Sequence, residues 1–173
     1  MSGAALPVSI CALVFTVFSF WWLNARPGRL KTFPPHTFAS GPERDGGQSV
    51  LVPLVLHNTG ALPIVVRDLR VVVLGEPAMS VLRWERTRPR LRGENDADLP
   101  ATFAVPGRSV TQIFAEFDSA PPGFQNLDRE IRVEAQLGRR ARWHHVVTFV
   151  LHTSAAIHPE QYLEYRNEKP SEG

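Results

Sequence analysis

Two rhythms of apolar residues divide this chain. From Ala4 to Leu23 the run AALPVSICALVFTVFSFWWL carries no charge over 20 residues. A helix of that length reaches about 30 Å, the thickness of a bilayer's hydrocarbon core. From residue 49 the period falls to two. In Ser49 to His57, Val50, Val52, Leu54 and Leu56 share one face while Leu51, Pro53, Val55 and His57 share the other. Pro53 argues against a central position, because proline gives the ladder no hydrogen bond. Ile64 to Leu74 resumes with eight apolar residues in eleven. Ser109 to Phe117 places Thr111, Ile113, Ala115 and Phe117 inward with Gln112 and Glu116 outward. Glu130 to Leu137 does the same with Ile131, Val133, Ala135 and Leu137 against Arg132, Glu134 and Gln136. A last strand, Trp143 to His152, sets Trp143, His145, Val147, Phe149 and Leu151 on one side. No helical period intervenes after residue 49, so the expected class is all-β with two packed sheets.

Between these regions lies a connector, 25–48, dense in Pro27, Gly28, Pro34, Pro35, Gly41, Pro42, Gly46 and Gly47, with one short strand expected near Thr37 to Ser40. The expected organisation is therefore an anchor over 1–24, this connector, a sandwich over 49–153 and a polar tail over 154–173. In the tail, His158 to Tyr165 fits one or two helical turns, with Pro159 near the first helical position. At 173 residues the chain has room for one ordinary domain beside an anchor.

The turn His57-Asn58-Thr59-Gly60-Ala61-Leu62-Pro63 separates two apolar strands, and Val105-Pro106-Gly107-Arg108-Ser109-Val110 opens another. Asn58 and Thr59 suit local backbone hydrogen bonds, Gly60 suits positive φ, and Pro63 fixes the exit. Together these segments resemble bacterial immunoglobulin-like domains of the ASPM/SPD-2/hydin type. The resemblance covers about residues 49 to 151 and implies an immunoglobulin-like antiparallel β-sandwich of about seven strands. It implies no activity.

Charge refines the picture of the anchor. Trp21 and Trp22 close the apolar run where indoles favour headgroup depth, and Arg26, Arg29 and Lys31 follow at once. A cleaved signal peptide would begin with a basic stretch and end on small residues at the cut, and this run has neither feature. The expectation is a single-pass anchor in the cell membrane, contacting lipid through its helix. Basic residues gather only on the C-terminal flank, which places the sandwich in the cytoplasm by the positive-inside rule. The common arrangement in which an N-terminal helix holds a sandwich outside the membrane stays open beside it.

The composition excludes several chemistries. Cys11, in the apolar run, is the one cysteine, so the folded part has no thiolate nucleophile and no disulfide. His144 and His152 share a strand face but stand about 26 Å apart, too far for one ion. Serines occupy no nucleophile elbow, and no phosphate-binding glycine loop occurs. No enzyme activity, cofactor or metal is expected, and nucleic acid is not an expected partner. The most unusual segment is Arg83-Trp84-Glu85-Arg86-Thr87-Arg88-Pro89-Arg90-Leu91-Arg92, five arginines in ten residues, with Glu94, Asp96 and Asp98 following. Residues 26–92 hold 11 basic and 5 acidic groups, and residues 93–173 hold 8 and 12. Read as a loop, the segment offers Arg83, Trp84, Arg86, Arg88, Arg90 and Arg92 to an acidic partner or lipid phosphate. The expected function is a membrane-anchored, non-enzymatic protein-interaction module, such as an accessory subunit of a membrane complex. An envelope ligand-binding or sensing domain for glycan or lipid is the alternative.

Overall fold

The computed structural model describes residues 5–42, 48–75, 81–88, 98–119, 128–138, 141–152, 156–159 and 163–167. An apolar helix leads into an antiparallel β-sandwich that is nearly barrel-shaped. The helix, α1 (Ala5–Phe20), passes into a π-helical turn at Trp21–Ala25. Over Leu6–Ala25 it is 20 residues long, with mean hydropathy 2.0 and no burial against the rest of the protein. It is long and apolar enough to cross a membrane.

Eleven strands follow among the described residues. They are β1 (Leu30–Lys31), β2 (Thr37–Pro42), β3 (Gln48–Asn58), β4 (Ile64–Val73), β5 (Val81–Arg88), β6 (Phe103–Val105), β7 (Val110–Ser119), β8 (Arg129–Leu137), β9 (Trp143–Leu151), β10 (Ala156–Pro159) and β11 (Leu163–Arg166). They form one continuous sheet in the order β10-β11-β2-β3-β7-β5-β4-β8-β9, with β1 added to β3 and β6 added to β4. On β3, β7 and β8 most of the inward positions read from alternation are found in the core. Val50, Val52, Leu54 and Leu56 from β3 meet Ala115 and Phe117 from β7 and Ile131, Val133 and Ala135 from β8, all nearly inaccessible to water. Burying each of the valine, leucine, isoleucine and phenylalanine side chains among them contributes about 1.5–3 kcal/mol.

Pro53 is accommodated without breaking the ladder. β2 pairs with Gln48 to Leu51 and β1 with Asn58 and His57, so among the described residues the edge of β3 between them has no partner strand. Proline falls in that gap, where no ladder donor is required.

Two bulges change which side chains face inward. On β4 the register against β8 shifts between Val66 and Asp68, and the core residues are Val66, Leu69, Val71 and Val73. On β9 the partner of Val133 is Val147 but that of Glu134 is His145, leaving Val146 as the extra residue. Simple alternation therefore fails over the first half of β9. Trp143 lies opposite Gln136 on the outer face, and His144 lies opposite core-facing Ala135.

The tail differs from the helical expectation. β10 and β11 form a hairpin, and β11 pairs with β2 from Leu163↔Ser40 to Arg166↔Thr37. A helix of one or two turns is marginal alone, whereas the open edge of β2 supplies a full set of backbone partners. Asn167 then binds across the seam. Its backbone N donates to His36 O at 2.8 Å, its side-chain Nδ2 donates to Pro35 O at 3.2 Å, and its Oδ1 accepts from His152 N at 3.2 Å. The end of β9 is thereby joined to the segment between β1 and β2.

The arginine-rich segment begins as strand β5, not as a loop. Trp84 is in the core, edge-on to Phe103, with its indole N–H donating to Arg86 O at 2.9 Å. Glu116, outward by alternation, is 1% exposed. Its Oε2 accepts from Arg88 Nε at 2.7 Å and its Oε1 from Arg88 Nη2 at 3.1 Å, a bidentate pair with side chains only 10% and 2% exposed. Leu51, opposite Glu116 on β3, and Ala39, opposite Leu51 on β2, are also buried. The sheet is thus covered on both faces in this sector. Removing one partner of such a pair strands a buried charge, so Arg88→Met should lower unfolding free energy by about 3–5 kcal/mol. The double change Arg88→Met with Glu116→Leu should recover most of that loss in a urea titration. Equal stability of the single variant and the parent would show that the pair does not carry this sector.

Candidate functional site

Local bonding concentrates where the helix meets the sandwich. Asn58 ends β3 with its side chain buried and three of its hydrogen bonds made. Its Nδ2 donates to Leu62 O at 2.8 Å and Val105 O at 3.1 Å, and its Oδ1 accepts from Gly60 N at 2.9 Å. This closes the turn and ties it to β6. The expectation of positive φ at Gly60 is not met; glycine is required there for close approach instead. A Cβ on Gly60 would overlap the backbone of Gly28, and a Cβ on Gly28 would overlap Asn58 Oδ1 and Gly60. The left-handed residue nearby is Arg108, with φ +52°, whose N donates to Gly60 O at 2.7 Å. Gly107 packs so tightly on Ala61 O that a side chain would not fit.

The chain leaving the helix is bonded into this turn. Ala61 N donates to Arg26 O at 2.9 Å, Thr59 N to Arg29 O at 3.2 Å, and Arg29 N to Thr59 Oγ1 at 3.0 Å. Arg108 Nη2 reaches Trp22 O at 2.6 Å, within the π-helical turn itself. The Arg26 guanidinium lies 4.0 Å from the Trp22 ring centroid, an attraction of about 0.5–1 kcal/mol where exposed. The first part of the connector is therefore a fixed joint. Trp21, Trp22, Arg26 and Arg29 are brought together there, and Lys31 follows on β1 opposite His57.

The second candidate is a groove of about 490 Å³ on the outer face of β4 and β5, lined by Asp68, Arg70, Val81, Arg83, Glu85 and Trp143 among others. The β9 bulge puts Trp143 over Arg70, whose guanidinium carbon lies 4.2 Å from the indole centroid. Arg70 is held from below by Glu134, with Nε to Oε2 at 2.7 Å. A locked guanidinium stacked on an aromatic ring beside exposed Arg83, Glu85 and Val81 forms a rigid amphipathic surface. Simple alternation hides this surface, because a strict period of two groups Trp143 with Phe149 and Leu151. The signal lay in the adjacent His144-His145-Val146-Val147 run, where two apolar residues in succession are compatible with a bulge.

The arginine segment does not act as one patch. Arg83 and Arg86 are exposed, Trp84 is buried and Arg88 is engaged by Glu116. Arg90 and Arg92 lie outside the described residues. Arg83 pairs with Asp118, eight residues along β7 from Val110 and the joint, which is about 26 Å at strand rise. Of the histidines, His145 Nε2 is 2.9 Å from Thr148 Oγ1 and His152 Nδ1 is 2.8 Å from Asp128 Oδ2. Among the described residues no three His, Cys, Asp or Glu side chains converge as a metal site would require. The chain matches no protein-family model, and no curated protein is significantly similar to it.

The joint has a direct stability test. Asn58→Ala leaves the Gly60 N–H and two carbonyls without their partner, so at about 1–3 kcal/mol per buried unsatisfied group it should cost at least about 3 kcal/mol. Gly28→Ala should cost about 1–3 kcal/mol through overpacking. Thermal and urea unfolding would measure both, and a neutral Gly28→Ala would show that the close approach is not required.

Proposed function

We propose that this chain is a membrane-anchored, non-enzymatic interaction module, an immunoglobulin-like sandwich held at the membrane surface that engages a protein partner through the groove between Trp143, Arg70 and Arg83. The observation that carries the reading is the bonded joint. Trp22 O accepts from Arg108, and Arg26 O accepts from Ala61, so the sandwich follows the helix without a free stalk. A helix of this length and hydropathy with its face entirely unburied is suited to lipid. Fixing a domain against the bilayer raises its effective concentration for a partner in the same membrane.

The groove favours a protein contact because arginine and tryptophan dominate binding hot spots, and both are pre-organised here by stacking and by Glu134. An indole beside the charged Arg70, Arg83 and Glu85 also suits a polar envelope ligand, which supports the second reading of a glycan or a lipid. The charge rule, with Arg26, Arg29 and Lys31 after the helix, favours a cytoplasmic sandwich.

Three measurements test this reading. The full chain should remain in the membrane pellet after alkaline carbonate extraction, and release as a shortened soluble form would identify a cleaved leader instead. A reporter active only outside the cytoplasm, fused after Gly173, should stay silent; activity would reverse the sidedness. A photo-crosslinking residue at Val81 should capture one stoichiometric protein, with recovery falling about tenfold or more in Trp143→Ala. Capture of glycan or lipid alone would select the second reading.

A further inference from the structure

The sandwich is electrically polar along its strands, and its basic end is the end bonded to the helix. Four stretches meet there: 24–31 after the helix, 57–67 around the Asn58 turn, 104–111 around Arg108, and 141–143 opening β9. They are joined by Arg108 N to Gly60 O at 2.7 Å, Asn58 N to Ser109 O at 3.0 Å and Gly138 N to Val65 O at 2.8 Å. These stretches carry Arg26, Arg29, Lys31, Arg67, Arg108 and Arg142 and no Asp or Glu; the first acid along β4 is Asp68, level with Trp143, and its Oδ1 accepts from Leu69 N. The described residues at the far end differ. Arg83 and Arg129 there stand among Asp118, Asp128 and Glu130.

Apolar side chains project between the basic ones. Leu62 is 47% exposed, Val110 52% and Phe33 70%. Lys31, His57 and Val110 are cross-strand neighbours, and the Phe33 ring lies edge-on to His57 with centroids 5.5 Å apart. This is the pairing that lipid interfaces favour, with cations at phosphate level and apolar tips just below.

We propose that this end of the sandwich docks on anionic lipid headgroups, making the domain itself a second membrane contact beside the helix. The inference rests on the anchoring proposed above. Position decides the occupant: a helix with Trp21 and Trp22 at headgroup depth brings Arg108, bonded to Trp22 O, to the same depth. The joint leaves too little chain to carry the basic end away from the surface. Arg67 and Arg142, remote in sequence from the helix, then become lipid ligands that no count of flanking charges includes. The cytoplasmic leaflet, which carries anionic lipid, supplies the matching charge.

The test uses the full chain with Cys11→Ala and a single fluorophore-labelled cysteine, either Leu62→Cys at the basic end or Glu130→Cys at the far end. It is reconstituted into vesicles of phosphatidylcholine alone or mixed with phosphatidylglycerol, each containing a headgroup spin-label quencher. Flotation reports the helix and quenching reports the sandwich. The expected result is flotation with both vesicles, some quenching at position 62 in each because the joint holds it near the surface, clearly stronger quenching there with phosphatidylglycerol whose excess fades with salt, and little quenching at position 130. Arg67→Gln and Arg142→Gln, checked for unchanged unfolding, should each weaken the quenched state about fivefold. Flotation with no quenching at position 62, or with equal quenching in both vesicles, overturns lipid docking while leaving the anchor; the first of these would leave the basic end to an acidic protein. Failure to float with either vesicle overturns the anchoring and this inference together.

Discussion

The buried amide of Asn58 is the constraint from which the geometry of the joint follows. Its three hydrogen bonds hold the turn after β3 against β6 and present Gly60 as a flat surface. Gly28 can then approach closely enough for Arg26 and Arg29 to bond Ala61 and Thr59. A buried amide with unmet hydrogen bonds is costly, so this turn has essentially one low-energy arrangement. Sandwich stability and helix placement are therefore linked through one side chain.

The left-handed backbone at Arg108 belongs to the same linkage. A non-glycine residue at φ +52° stores strain of about 1–3 kcal/mol. Arginine there gives what glycine would not, a guanidinium that reaches Trp22 O. The contact gives a strained position a purpose and brings a fourth segment to the helix exit.

Elsewhere in the sheet a second constraint comes from the buried Arg88 and Glu116. They fix β5 against β7 with charge in a sector where both faces of the sheet are covered. An ion pair so enclosed contributes little net stability compared with an apolar pair, but it penalises any shift in register strongly. Register matters here because β5 links the β4 and β7 halves of the sheet, with Arg83 opposite both Arg70 and Asp118. Leu82 and Trp84 enter the core by simple alternation, and the bulge between Trp84 and Arg86 is what takes Arg86 out of that inward set and brings Arg88 to the face of Glu116.

The amino-acid order alone determined the apolar helix, the all-β class and the inward faces of β3, β7 and β8, because length, charge and a period of two are local properties that packing had no reason to override. It also marked the Asn58-Thr59-Gly60 turn, though not what the turn is for. Tertiary structure decided the rest. Whether Glu116 faces water depends on Arg88, 28 residues away, and whether Trp143 faces inward depends on a bulge set by pairing with β8. The tail became strands because β2 had an open edge, and Gly60 needed to be glycine because Gly28, 32 positions earlier, lies against it. Each of these is a contact between segments distant in sequence, and their energies are invisible in any window of neighbouring residues.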